Sequence, residues 1–146
     1  MDAEAMQRVA DELEIRNLLA RIFHLSDFAP DLTEYLECFT HDAVWETAGS
    51  AGAHTSSRLV GRDALAVDRA KVRADGHQGP GTNTWHVITN LVVRVGDDGT
   101  AEAESYYVWV VEADVAPRVA AIGRYQDRFE RTDHGWKLAY RCFGAS

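Results

Sequence analysis

The six histidines of this chain are the side chains best suited to carry a proton near neutral pH. Four of them fall in predicted turns or loops: His41, His54, His77 and His134. His24 lies on a predicted helix three residues before Asp27, where a solvent-facing side chain is the simplest interpretation. His86 lies on a predicted strand, where it is either a general base or a hydrogen-bonded core residue. His86 is therefore the candidate for acid–base chemistry.

Other catalytic and cofactor-binding patterns are missing from the sequence. No His-x-x-x-His or Glu-x-x-His pair lies on a predicted helix, so we expect no metal site. There is no Gly-x-Ser-x-Gly, phosphate-binding glycine loop or dinucleotide fingerprint. The glycines and proline of residues 76–81 are typical of a loop at a pocket mouth. The expected chemistry needs no cofactor.

Composition excludes several classes of partner. The 146 residues include 15 basic and 23 acidic side chains, giving a net charge of −8. The basic residues do not cluster, which argues against a nucleic-acid partner. The sequence contains no apolar run of about 18 residues, so we expect no membrane-spanning helix. Residues 1–15 are acidic and amphipathic, unlike a signal peptide. We expect a cytoplasmic protein in which Cys38 and Cys142 are reduced, buried thiols.

The helical patterns come first in the chain. Asp2 can cap a helix over roughly residues 3–25, whose apolar side chains recur at helical spacing. After Pro30, Asp31 and Glu34 fit a capping box and predict a short helix to about Cys38. A strand (HDAVWET) follows, then a loop of small residues at 48–57 and a third helix over about 62–74.

From residue 84 onwards the pattern is that of strands. The runs at 84–95 and 100–113 are rich in β-branched and aromatic residues, and residues 97–99 join them as a hairpin turn. A second pair, 118–132 and 135–143, is joined at residues 133–135. Helices followed by a meander predict an α+β domain over residues 1–146. Nine of the 14 aromatic residues lie in these strands, which favours an aromatic-lined pocket.

The sequence resembles SnoaL-like proteins of the nuclear-transport-factor-2-like superfamily. The segment IRNLLARIFHLSDFAPDLTEYLECFTHDAVWE is similar to the family's opening, with a helix ending in Asp27 and an F-x-x-D-A-x-W strand. TWHVITNLVV and GRYQDRFERTDHGWKLAYR resemble its later strands. The resemblance implies a cone-shaped α+β barrel in which three N-terminal helices pack into a strongly curved antiparallel or mixed sheet.

The resemblance also implies a catalytic dyad. By position, Asp27 and His86 match an Asp–His pair that faces the cone interior in the family. A carboxylate that accepts one ring N–H fixes the tautomer, so that the other ring nitrogen can take a proton. For Asp27 the alternative is a turn residue that begins the connection after the first helix.

The sequence identifies the expected substrate-binding residues less specifically than the catalytic pair. Arg141 matches a family arginine that helps to bind a leaving group, but simple alternation puts it opposite Trp136 and Leu138. Either a bend turns Arg141 inwards, or it faces solvent or a partner subunit. Ile22 stands where relatives often carry a Tyr or Lys that polarises the substrate. The candidates to replace that group are Tyr125, Tyr107, Trp109 and Asn90, each of which could equally be a packing residue.

The functional expectation is a lyase or isomerase, dehydratase-like, acting on a hydrophobic cyclic small molecule. A non-catalytic ligand-binding or accessory subunit of the same fold is the main alternative. A polyketide cyclase or an epoxide hydrolase is a further one, although Arg124 and Asp127 fall short of the Asp–Arg–Asp pattern of limonene-type epoxide hydrolases. The resemblance implies a homodimer or higher homo-oligomer that pairs through outer sheet faces. From the composition we expect neither nucleic acid nor a membrane as a partner.

Overall fold

The strands form one curved, mixed sheet against which the N-terminal helices pack. A computed structural model of the chain describes residues 1–48 and 58–144. Its six strands are arranged in the order β2-β1-β6-β5-β4-β3. They span Phe39–Ala48 (β1), Arg58–Val60 (β2), Trp85–Val95 (β3), Thr100–Val111 (β4), Arg118–Thr132 (β5) and Gly135–Gly144 (β6). The predicted loop at 48–57, with His54, falls almost entirely outside the described residues. His41, which was expected in a turn or loop, lies in β1.

Strand pairing confirms the predicted meander and adds one parallel contact. Strands β3 to β6 pair antiparallel with their neighbours in chain order. Strand β1 pairs parallel with β6 and antiparallel with the short β2. The sheet is therefore mixed, and the α+β fold class is confirmed.

Three helices span Ala3–Phe28 (α1), Thr33–Glu37 (α2) and Arg62–Ala74 (α3). Asp2 caps α1 as predicted, since its Oδ1 accepts the Ala5 N–H at 2.8 Å. Helix α1 continues three residues beyond the predicted end and stops before Pro30, which cannot supply a backbone N–H. Helix α2 starts later than predicted because Asp31 accepts the Thr33 N–H in a turn and Leu32 takes the cap position.

Arg73 of α3 fastens the C-terminal end of α1. Its guanidinium donates to the carbonyl oxygens of Leu25 at 3.1 Å, Ser26 at 3.0 Å and Ala29 at 2.9 Å. The Leu25 carbonyl also accepts the Ala29 N–H, whereas Pro30 has no N–H to offer the Ser26 carbonyl. Positive charge is favourable at this end of a helix. The last turn of α1 has no basic residue of its own, so α3 supplies the cation.

A bulge in β6 decides which of its side chains face the core. Phe129 pairs with Leu138 and Arg128 with Tyr140, so Ala139 is an extra residue in the ladder. Leu138 and Ala139 are consequently both buried, and alternation is inverted beyond them. The bend turns Arg141 into the interior, and the alternative that it faces solvent or a partner is wrong.

The core joins the inner face of the sheet to one face of α1. Ile15, Leu19 and Ile22 of the helix and Phe129 and Leu138 of the sheet are almost completely buried. The nine strand aromatics divide between the two faces of the sheet. Four are buried, namely Tyr107, Tyr125, Phe129 and Trp136, whereas Trp85 and Tyr106 are exposed. The aromatic surplus therefore serves both an interior and an outer surface.

Candidate active site

Asp27 and His86 lie in direct contact, although 59 residues separate them in sequence. Asp27 is in the last turn of α1 and His86 is the second residue of β3. Asp27 Oδ2 accepts the backbone N–H of His86 at 2.8 Å, and Asp27 Oδ1 lies 2.8 Å from His86 Nδ1. With 3% of its surface exposed, Asp27 holds both the strand and the ring of His86.

This geometry selects one state of the His86 ring. A carboxylate only accepts hydrogen bonds, so the hydrogen of the neutral ring lies on Nδ1 and the lone pair on Nε2. Nε2 has no hydrogen-bond partner among the described residues. Phe23 packs against the ring with centroids 5.2 Å apart, which limits its rotation. The pair can therefore accept a proton at a fixed position.

His86 contributes to the wall of a half-open cavity of about 160 Å³. Side chains from all three layers of the fold meet there: α1 and α2, α3 with the loop after it, and the inner face of the sheet. The lining residues are Phe23, Tyr35, Trp45, Arg69, Val72, His77, His86, Tyr107, Trp109, Ala121, Tyr125, Arg141 and Phe143. No Asp or Glu is among them. Cavities of this kind, apolar with a few polar groups, are typical of small-molecule sites.

Arg141 lies inside this cavity wall with 1% of its surface exposed. Its Nε and Nη2 donate to the two carboxylate oxygens of Asp127 at 2.7 and 2.8 Å. Burial alone would lower the pKa of Arg141, but the charge and hydrogen bonds of Asp127 outweigh burial and raise it. The guanidinium also stacks on the Tyr125 ring, 3.9 Å from its centroid. Arg141 is thus a permanently charged group in an aromatic setting.

Tyr125 and Tyr107 form the aromatic wall beside Arg141. Their ring centroids are 4.7 Å apart, and burial raises the pKa of both hydroxyls. Both therefore stay protonated near neutral pH and can donate a hydrogen bond. Neither hydroxyl has a hydrogen-bond partner among the described residues.

The remaining two sequence candidates differ in position. Trp109 lines the cavity, and its Nε1 has no partner among the described residues. Asn90 lies outside the lining, exposed at the irregular point of β3 with a left-handed φ of 53°. Asn90 is therefore not positioned to contact a ligand in this cavity. Ile22 is buried in the apolar core and offers no polar group.

A separate surface groove of about 400 Å³ lies on the α1 and β3 side of the dyad. It is lined by Ala20, Phe23, His24, Asp27, Phe28, Trp85, His86 and Ile88. His24 is exposed there, as the solvent-facing interpretation predicts.

A family model described as "SnoaL-like domain" matches residues 7–142, nearly the whole chain. The chain belongs to this SnoaL-like family. No curated protein sequence matches it. The SnoaL-like domain is similar in structure to an NTF2-like protein with a cystatin-like fold from Novosphingobium aromaticivorans, with 24% identity, a TM-score of 0.76 and coverage of 98% of this chain and 86% of that one.

Two further solved structures share the fold of this SnoaL-like domain. One is a protein of unknown function with a cystatin-like fold from Nostoc punctiforme, with 22% identity, a TM-score of 0.75 and coverage of 94% and 92%. The other is a protein from Catenulispora acidiphila in complex with S-DNPA, with 22% identity, a TM-score of 0.67 and coverage of 93% of both chains. The predicted superfamily is confirmed.

Sequence reasoning missed several cavity residues of this SnoaL-like domain. Tyr35 comes from α2, Trp45 from β1 and Arg69 from α3, and His77 follows α3. One signal was available: Leu65, Arg69 and Val72 recur at helical spacing on the buried face of α3. An arginine on the apolar face of a helix is expected to have a buried ion-pair partner or a ligand.

Two classes of site are absent from the described part of this SnoaL-like domain. No three His, Cys, Asp or Glu side chains within residues 1–48 and 58–144 come together as a metal site. No helix in the same ranges is both long and apolar enough to cross a membrane. Cys38 and Cys142 are free thiols, and Cys38 is buried as predicted, whereas Cys142 is only half-buried.

Proposed function

We propose that this SnoaL-like domain is a cofactor-independent lyase or isomerase, dehydratase-like, that acts on a hydrophobic cyclic small molecule. One observation carries the proposal: Asp27 holds His86 through Nδ1, Nε2 has no partner among the described residues, and His86 lines an aromatic cavity. A base near neutral pH is the group needed to remove a proton from carbon next to a carbonyl, or from carbon adjacent to a leaving group.

His86 Nε2 takes the substrate proton, and the C–H electron pair moves into the new double bond. In an elimination the bond to the leaving oxygen breaks, and the proton on His86 completes a molecule of water. In an isomerisation the same proton returns to another carbon. Asp27 is a positioning residue, because it orients the ring and stabilises the imidazolium form without touching the substrate.

Arg141, Tyr125 and Tyr107 would supply the electrophilic help that Ile22 cannot. The two hydroxyls are protonated donors, and Nη1 of Arg141 carries no hydrogen bond within the described part of the chain. Donors fixed in a water-poor site stabilise negative charge as it forms on a carbonyl or leaving oxygen. Trp109 and Phe143 complete the aromatic wall that would hold the ring.

The test is turnover of a panel of cyclic hydroxyketones by the His86→Ala variant. We expect the rate to fall by about 10²–10⁴-fold, since the variant lacks the proton acceptor. His24→Ala is the matched control, because His24 is an exposed histidine that lines only the outer groove. Undiminished turnover by folded His86→Ala protein would exclude the dyad as the catalyst.

A non-catalytic ligand-binding or accessory subunit is the second candidate. Ile22 favours it, since this buried side chain leaves the position of the expected polarising group apolar. Tight binding of a panel compound with no product after long incubation would support this candidate. For a limonene-type epoxide hydrolase site, Arg124 is wrongly placed: it is exposed, whereas Asp127 is buried.

We also propose a cytoplasmic homodimer that pairs through the outer sheet face. Val87, Val108 and Ile122 are aligned across β3, β4 and β5 by the strand register. Trp85, Val110 and Val119 form a second aligned row beside them. The four residues of β3 and β5 in these rows are exposed, and the two β4 valines between them are half-buried. Contiguous apolar surface of this kind marks interfaces.

A further inference from the structure

Arg69 is a second guanidinium in the cavity wall, and the proposed chemistry does not use it. Only 5% of its surface is exposed. Nε and Nη2 both donate to Asp68 Oδ2, at 3.1 and 2.5 Å, and the guanidinium stacks 4.3 Å from the Trp45 ring centroid. Nη1 carries no hydrogen bond within the described ranges. A buried arginine held rigidly with a spare donor is suited to bind an anion.

Tyr35 supplies a second donor to the same space. It is 3% exposed, lines the cavity, and its hydroxyl has no hydrogen-bond partner among the described residues. Burial raises the pKa of this hydroxyl, although the nearby charges of Arg69 and Arg141 oppose the rise. Tyr35 therefore stays a neutral O–H donor that lies within the field of both guanidinium groups.

The carboxylates around the cavity are already engaged. Asp68 accepts from Arg69, Asp127 from Arg141 and Asp27 from His86, and none of the three lines the cavity. Each guanidinium is thus paired on its far side and keeps Nη1 without a hydrogen bond among the described residues, while three tyrosines and no carboxylate line the cavity. Such a surface favours a ligand with a negatively charged oxygen.

We propose that Arg69 and Tyr35 form a carboxylate-binding subsite, so that the natural ligand is a cyclic carboxylate. A small aromatic carboxylate is the simplest molecule that places a ring against the tyrosines of the cavity and a carboxylate against Arg69. The inference rests on the proposed function in taking this cavity as the ligand site.

Binding without turnover tests the subsite. The probes are benzoate and its neutral isostere benzamide, titrated calorimetrically against the full chain in a buffer free of carboxylates. We expect benzoate to bind at least about tenfold more tightly than benzamide, since only benzoate meets the guanidinium groups with a charge. Equal affinities, or failure of benzoate to bind, would overturn the proposal.

Three variants test whether Arg69 is the source of the preference for benzoate over benzamide. Asp68→Asn/Arg69→Gln removes both charges together, so it leaves no unpaired carboxylate, and it should abolish most of the benzoate preference while benzamide binding stays. Asp68→Asn alone frees Arg69 and should strengthen benzoate binding, which a merely damaged cavity would not do. Arg128→Gln, an exposed arginine on the outer face, should change neither affinity. A benzoate preference that survives in the Arg69 variant would refute the assignment.

The His86→Ala variant separates this inference from the proposed function. It should lose turnover of the ketone panel yet keep the benzoate preference. If turnover is unaffected while the preference depends on Arg69, the catalytic proposal fails and the carboxylate subsite stands. If turnover falls and the preference is independent of Arg69, the subsite fails and the catalytic proposal stands.

Discussion

Asp27 does two things for His86 at the scale of single residues. One carboxylate oxygen accepts the backbone N–H and the other faces Nδ1, both at 2.8 Å. The first contact fixes the start of β3 relative to α1, and the second fixes the ring. Because one short side chain makes both contacts, the direction of Nε2 follows from the backbone position of the helix end.

Arg141 and Asp127 make the residue-scale prediction on stability. Both side chains are almost completely buried, so removing one charge leaves the other without compensation. We expect Arg141→Leu to destabilise the fold by about 3–5 kcal/mol. The double variant Arg141→Leu/Asp127→Leu should recover much of that loss, as measured by urea denaturation. A double variant as unstable as the sum of both single variants would show that the charges do not compensate each other.

At the scale of elements, the site depends on how α1 ends. Arg73 reaches from α3 to two carbonyls of the last turn of α1, the turn that carries Asp27, and to the carbonyl of the residue that follows the helix. The end of the helix is thereby held by a second helix. The position of Asp27 therefore depends on the contact between α1 and α3.

Arg73→Gln should therefore loosen the turn that holds Asp27. We expect a loss of about 1–3 kcal/mol in stability, from the charge-assisted hydrogen bonds, and faster amide exchange over residues 25–29. The value of kcat should fall while KM changes little, because the dyad is misplaced but the cavity that binds the substrate is intact. Lys71→Gln, an exposed cation on the same helix paired with Asp75, is the control and should have no such effect. Unchanged exchange at residues 25–29 in the Arg73 variant would contradict this role.

The elements also show what sequence could and could not predict. Helix α3 was predictable because its apolar residues recur at helical spacing. The hairpins were predictable because turns that contain Gly99 and Gly135 separate their strands. The inward orientation of the Arg141 side chain was not predictable, because it depends on the bulge at Ala139. The Asp27–His86 contact was predicted from family resemblance alone, since no local pattern joins residues so far apart. Arg69 was missed, although its spacing on α3 carried a signal.

At the scale of the whole molecule, the two faces of the sheet have separate tasks. The inner face packs on the helices and lines the cavity, with Tyr125 and Phe143 among its aromatics. The outer face of β3, β4 and β5 exposes an apolar band that no described element covers, including Ile122 at 65% exposure. The proposed dimer would bury this band.

Sedimentation equilibrium tests the dimer directly. Micromolar protein should have twice the mass of the 16.2 kDa chain. Ile122→Glu places a charge in the centre of the band and should shift the protein to a monomer, because a charge buried without a partner is costly. Val67→Glu, at an exposed valine of α3 away from the sheet, tests whether any added charge has this effect. A monomeric wild-type protein at this concentration would exclude the proposed interface.

The tautomer of His86 is the most direct test of the proposed dyad. Long-range ¹H–¹⁵N correlation spectra of labelled protein, recorded over a series of increasing pH until the ring signals no longer change, distinguish the two ring nitrogens. Asp27 facing Nδ1 predicts a hydrogen on Nδ1 and a lone pair on Nε2. The Asp27→Asn variant should lose this preference, and His24 should be unaffected by that substitution. A wild-type ring with its hydrogen on Nε2 would contradict the account, because such a ring presents no base to the cavity.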